Sequence, residues 1–147
     1  MMNRDFVEML SALRDAGAEY LVVGAHALAA HGRPRATGDL DLWVRPTPAN
    51  ARRVYTALKT FGAPLTTLSV QDLESPDLVF QIGIAPARID ILTSVSGITF
   101  DDAWPDRISV RIANLDVPVI GRDALIRNKR AAGRPRDIAD IAELDTN

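Results

Sequence analysis

Three aspartates carry the chemical interest of this sequence. Asp39 and Asp41 sit one residue apart in GDLDLWV, and Asp90 lies in ARIDILTSV, each between apolar neighbours. Side chains two apart on a strand project to the same face, so Asp39, Asp41 and Trp43 face one way and Leu40, Leu42 and Val44 the other. Asp90 opposes Ile89 and Ile91 by the same alternation. If the two strands are neighbours, three carboxylates meet on one patch. Each charge there raises the cost of ionising the next, so water, arginine or a metal ion must offset it. Arg33, Arg35 and Arg88 are the arginines within reach along the chain. The metal alternative is a pair of divalent cations. Magnesium takes oxygen ligands, keeps several waters and is held by a few carboxylates together with substrate phosphates.

Upstream, LVVGAHALAAHG reads as an apolar strand that ends in Gly24 and leads straight into a helix. Backbone N–H groups and the positive end of a helix dipole then lie beside the strand end, an arrangement suited to a phosphate chain. Glycine at position 24 leaves room for the phosphates to approach. Arg35 and Thr37, just before the aspartates, either steady phosphates or neutralise the acids. Six basic residues crowd Arg122 to Arg136 against the single acid Asp123 before Asp137. They read as solvated helix faces or as a phosphate-binding surface. Within that cluster Lys129 and Arg136 are the candidates to reach a nucleotide; surface charge on the terminal helices is the alternative. Asp137 and Asp140 suit the start of the last helix through its dipole. His26 and His31 miss the i, i+4 spacing of a helical metal pair and read as surface or capping residues.

The elements that must hold these residues follow from periodicity. Phe6, Leu10 and Leu13 predict an amphipathic helix over Asn3 to Ala16. EYLVVG lacks alternation, the pattern of a strand buried on both faces. Ala25 to His31 is alanine-rich and helical, stopped by Gly32 and Pro34. Val54, Leu58 and Phe61 stripe a helix opened near Pro48 and closed by Gly62. Ala63 to Asp77 predicts loop with a short helix. LVFQIGI and ARIDILTSV pair around a turn at Ala85–Pro86, and ISVRIANLDVPVI turns near Asn114. Arg122 to Ala132 and Pro135 to Leu144 are helices broken at Gly133, the second turning Ile138, Ile141, Ala142 and Leu144 inward. The fold class is α/β (α+β), a mixed central sheet with helices packed against it and a short helical C-terminal segment.

Composition sets the frame. With 147 residues, 47% of them hydrophobic, the chain is expected to form one domain over 1–147 with a real core. It contains no cysteine, which excludes disulfides and thiolate-bound zinc and suits a cytoplasmic setting. No apolar run approaches the roughly 20 residues of a membrane span, and MMNRDFVEML is not a signal peptide. A net charge of −2, few aromatics and no recognition-helix motif weigh against plain nucleic-acid binding.

The strand, Gly24, helix and Asp39-x-Asp41 series, with Asp90 on a later strand, resembles the polymerase-β-like nucleotidyltransferase superfamily. In GAHALAAHGRPRATGDLDLWV and the terminal NKRAAGRPRDIADIAEL the chain is most similar to the small bacterial branch that includes AbiEii-type toxins. The family has Gly or Ser after the first glycine, where this chain has Ala25; the backbone N–H survives, and a serine hydroxyl is missing. The resemblance implies a transferase acting on a nucleoside triphosphate bound at Gly24 and Ala25, with Arg35, Thr37 and Lys129 as further nucleotide contacts. It implies Mg²⁺ or Mn²⁺ on Asp39, Asp41 and Asp90, with Asp90 also able to take a hydroxyl proton. The acceptor is RNA (tRNA included), a protein or a small molecule. A homodimer or an antitoxin is the implied partner, and no membrane is involved. The alternative is a catalytically degenerate module of the same fold that binds nucleotide or a partner, which Ala25 favours.

Overall fold

The chain folds around the strand that lacks alternation. In a computed structural model, which describes residues 2–33, 38–84 and 86–145, β1 (Tyr20–Val23) is buried at every position. It lies inside the sheet, antiparallel to β2 (Asp39–Val44) and parallel to β6 (Leu115–Val119). β3 (Val79–Ile82) and β4 (Arg88–Leu92) form an antiparallel pair, as do β5 (Ile108–Ile112) and β6. The six strands run in the order β3-β4-β2-β1-β6-β5. This is a mixed α/β architecture. The β5–β6 hairpin turns at Ala113 and Asn114, both at positive φ, as a two-residue turn matched to strand twist requires.

The described residues form six helices. α1 (Arg4–Asp15) starts on Asn3, whose side chain accepts from the Asp5 N–H, and buries Phe6, Met9, Leu10 and Leu13. α2 (Gly24–Ala30) begins where β1 ends. α3 (Pro48–Phe61) is capped by the Thr47 hydroxyl and closed by left-handed Gly62. α1 packs on α3, and α3 on β2. Leu40, Leu42 and Val44 are fully buried, as the alternation of β2 demands. Between α3 and β3 the aperiodic segment contains one 3₁₀ turn, Gln71–Glu74. A short α4 (Phe100–Ala103) follows β4, and α5 (Arg122–Ala132) and α6 (Pro135–Asp145) close the chain as a packed pair broken at left-handed Gly133.

The expected face of α6 needs correction. Ile138 is 54% exposed and Ala142 is exposed, whereas Asp137, Asp140, Ile141 and Leu144 point inward. Two of the inward positions are aspartates matched to a buried lysine on α5, so apolarity alone misplaces the stripe. No helix among the described residues is long and apolar enough to cross a membrane.

Candidate active site

Parallel pairing of β2 with β4 places Asp41 opposite Asp90 and Asp39 opposite Arg88. Side chains at paired positions share a face, so the strands bring Asp39, Asp41, Asp90 and Arg88 together. Arg88, one of the three candidate arginines, stands two residues before Asp90 on the same strand and pairs with both Asp39 and Asp90. Its Nη2 donates to Asp39 Oδ2 at 2.7 Å and to Asp90 Oδ2 at 3.3 Å. Arg88 Nε and Asp90 Oδ1 are also 3.3 Å apart, but without the alignment of a hydrogen bond, and both atoms are buried with no hydrogen-bond partner.

Asp41 carries the electrostatic strain of the group. Its carboxyl is pushed up to about 6, first by burial, then by the neighbouring charges of Asp90 and Asp39 and by a hydrogen bond with Asp90; Arg88 opposes the shift. Behind it, β1 ends at Val23, paired with Asp41, and Gly24 adopts a positive φ of 70°. A Cβ on Gly24 would overlap Asp41 Oδ2 and lie 3.2 Å from its Cγ. Glycine here therefore makes room for a carboxylate, a function not evident from its sequence context. α2 starts at that point with no side chain capping its first N–H groups, and Ala25 follows. His26 packs edge-on against Phe6; burial lowers its pKa, opposed by a hydrogen bond to the Asp39 backbone. His31 ends α2, its Nε2 2.8 Å from the Ile120 carbonyl.

The donor chemistry of this patch suits a hard divalent cation: carboxylate oxygens converge, and one of them, Asp90 Oδ1, is buried without a hydrogen bond. As the side chains stand, however, no set of three or more His, Cys, Asp or Glu among the described residues has a metal-holding arrangement. The Arg88 guanidinium bridges Asp39 and Asp90 instead.

Lys129 belongs to a different group. Only 7% exposed, it is no surface charge; its Nζ lies 2.9 Å from Asp140 Oδ2 and 3.6 Å from Asp137 Oδ1. Asp137 and Asp140, 1% and 2% exposed, are thus core counter-ions rather than dipole partners alone. Other members of the basic cluster are likewise engaged: Arg122 with the Leu144 carbonyl and Asp145, Arg127 with the Gly97 carbonyl, Arg134 with Asp137. Arg35 and Thr37 lie outside the described residues.

The same sheet face carries a cavity that local pattern does not announce. Trp43, two residues beyond Asp41, lines an apolar cavity of about 450 Å³ with Phe100, Ile98, Val95, Pro46 and Pro76. Trp43 meets Phe100 edge-to-face at 5.2 Å, and Phe100 stacks on Trp104. The legible signal was Trp43 itself; Phe100 arrives from a segment with no periodicity.

No protein-family model matches the chain, and no curated protein matches it in sequence. Solved structures do match in three dimensions. A candidate nucleotidyltransferase (TM1012) from Thermotoga maritima superposes with a TM-score of 0.62 at 14% identity, over 100% of this chain and 97% of that one. The lincosamide antibiotic adenylyltransferase LnuA, in a lincomycin-bound crystal structure, gives 0.61 at 11% identity over 99% and 98%. ANT(2")-Ia in complex with adenylyl-2"-tobramycin gives 0.62 at 15% over 96% and 86%. The chain therefore has the nucleotidyltransferase fold over essentially its whole length.

Proposed function

We propose that the chain transfers a nucleoside monophosphate from an NTP to a hydroxyl group, as a metal-dependent nucleotidyltransferase. The observation that carries this is the meeting of Asp39, Asp41 and Asp90 on one sheet face beside a glycine whose missing side chain accommodates Asp41. Asp39, Asp41 and Asp90 would hold Mg²⁺ or Mn²⁺, which when bound neutralises phosphate charge and lowers the pKa of a hydroxyl. The backbone at Gly24 and Ala25 receives the β- and γ-phosphates, with Arg35 and Thr37 as additional contacts. Asp90 Oδ1, buried and without a hydrogen-bond partner, accepts the proton of the attacking hydroxyl. The new bond forms at the α-phosphorus, the α–β anhydride bond breaks, and pyrophosphate leaves. Lys129, held by Asp140, is not part of this set.

For the acceptor we favour a small molecule. The aromatic cavity at Trp43 and Phe100 has the size and lining of a ligand pocket, and much of the basic cluster that would attract RNA is spent on internal contacts. The similar folds with bound lincomycin and adenylyl-tobramycin point the same way. The test incubates the chain with each labelled NTP and Mg²⁺ or Mn²⁺, offering in turn tRNA, cell protein and a panel of hydroxyl-bearing ring compounds, with Asp41→Asn as control. Label on a ring compound, lost in Asp41→Asn, is the expected result; label on tRNA moves the acceptor to RNA.

Ala25 favours a second reading, a degenerate module that binds nucleotide without transfer. Calorimetry separates the two: NTP binding that requires Mg²⁺ fits the enzyme, and binding indifferent to metal fits the module. The toxin role implied by the AbiEii resemblance predicts growth arrest on expression, abolished by Asp41→Asn.

A further inference from the structure

Around Asp90, on its own face of the sheet, stand Arg88 and Leu92 along β4, Asp41 across the ladder to β2, and Gln81 across the ladder to β3. Arg88 is paired with Asp39 and Asp90, Asp41 is an acid, and Leu92 is apolar. Among these side chains Gln81 is the neutral one that can hydrogen-bond. It is exposed on an edge strand, and its carboxamide makes no hydrogen bond among the described residues. Directly paired positions hold their Cβ atoms about 5 Å apart, so one ligand can touch Asp90 and Gln81 together. A carboxamide both donates and accepts, as a hydroxyl does. A lysine in its place would ion-pair with Asp90, and a glutamate would add another acid to the patch.

The next row on this face runs Val79, Leu92, Trp43, roughly 7 Å further along the strands. Trp43 lines the apolar cavity of about 450 Å³, and Val79, 56% exposed, leaves the β3 side of the row uncovered. A ring of six atoms with its substituents bridges the two rows. With one hydroxyl at Asp90 and an apolar substituent in the cavity, such a ring lies over Leu92 with Gln81 at its flank. We propose that Gln81 selects the acceptor: its carboxamide binds the hydroxyl adjacent to the one that gives its proton to Asp90. The acceptor class is then a ring with hydroxyls on neighbouring carbons and an apolar substituent for the Trp43 cavity. This rests on the transferase reading, in which Asp90 takes the proton of the attacking hydroxyl.

The test measures binding by calorimetry, without nucleotide, of the phenyl glycosides of glucose, galactose and mannose, against tetrahydropyranyl phenyl ether, which keeps both rings and lacks the hydroxyls. At least one glycoside is expected to bind the wild type more tightly than the ether. Gln81→Ala is expected to weaken that glycoside about three- to tenfold, the worth of one hydrogen bond, and to leave the ether unchanged. In the wild type the side-chain amide resonances of Gln81, identified by their loss in Gln81→Ala, should move with the glycoside and stay fixed with the ether. Glycoside binding that ignores Gln81→Ala, an equal loss for both probes, or no glycoside binding at all overturns the inference. Transfer from labelled NTP to the bound glycoside separates it from the reading beneath it. A KM raised in Gln81→Ala with kcat little changed supports both. Transfer indifferent to Gln81 overturns the inference and keeps the transferase; a glycoside that binds through Gln81 and receives no label counts against the transferase while the binding site stands.

Discussion

Among the described residues, the acids between α5 and α6 and the acids on the sheet differ in how their charge is met. Between α5 and α6, Asp137 and Asp140 face Lys129 and Arg134, two acids against two bases. Arg134 holds the Asp137 carboxyl below the usual carboxylate range, assisted by Lys129. On the sheet, Asp39, Asp41 and Asp90 share Arg88, and Asp41 rises to about 6. The helical group is charge-matched and fixes two helices to each other. The sheet group crowds three acids on one face, and Asp41, buried beside the other two, holds its proton more tightly than an ordinary carboxylate. Shifted acids of this kind cluster where chemistry is done.

One substitution applied to both groups separates them most widely. Asp41→Asn is expected to reduce nucleotidyl transfer at least about a thousandfold, about 4 kcal/mol of barrier, while raising the thermal midpoint of the metal-free chain at neutral pH. Asp140→Asn is expected to do the reverse: it leaves Lys129 buried with a weakened partner and costs about 3 kcal/mol of folding stability. Turnover assays and denaturant titrations on the two variants read both effects. If Asp140→Asn proves neutral and Asp41→Asn destabilising, the contrast is wrong.

Gly24→Ala comes next. The new Cβ displaces the Asp41 carboxylate, and misplacement of about 1 Å is worth roughly a hundredfold in rate. Left-handed backbone adds about 1–2 kcal/mol of strain. Calorimetry with Mn²⁺ should show weaker binding at an otherwise folded protein.

The pH dependence sharpens the difference further. Asp41 binds its proton more tightly in the folded chain than in the unfolded one, where the ordinary value is about 4. The protonated carboxyl therefore stabilises the metal-free fold at low pH, and that contribution is lost as pH rises from about 4 through about 6. Divalent-ion affinity should strengthen through the same window, because the proton must leave first. Asp41→Asn should flatten its share of both trends in thermal scans and metal titrations. The smallest effect is expected at Ile138→Ser, within about 0.5 kcal/mol by denaturant titration, because that side chain lies on the outward face.

What the sequence disclosed and what it withheld divide along physical lines. Alternation in DLDLWV placed Asp39 and Asp41 together, and glycine and proline punctuation located most helices within a residue or so. Local pattern carries that information. Adjacency of β2 and β4 does not follow from either strand, since parallel partners are chosen by the topology that joins them. The α6 face was misread because Asp137 and Asp140 are buried as counter-ions, which a scale of apolarity counts as exposed. The surface-charge reading of Lys129 fails for the same reason. Arg88 is one of three candidate arginines, and the register opposite Asp39 is what brings it to the acids. Phe100 joined Trp43 through a segment without periodicity, and no pattern announces such a meeting.

The parallel register of β2 and β4 also governs timing. Arg88 and Asp39 are 49 residues apart, and the ladder between their strands is what brings them face to face. A chain emerging from the ribosome can complete β1, α2 and β2 while the third acid is still unmade. The acid cluster is therefore completed only once β4 has been made, and a product truncated before β4 lacks its third member however well β1, α2 and β2 fold. A slip of one residue in that ladder would turn Asp90 to the opposite side of the sheet, so the same pairing couples formation of the acid cluster to correct assembly.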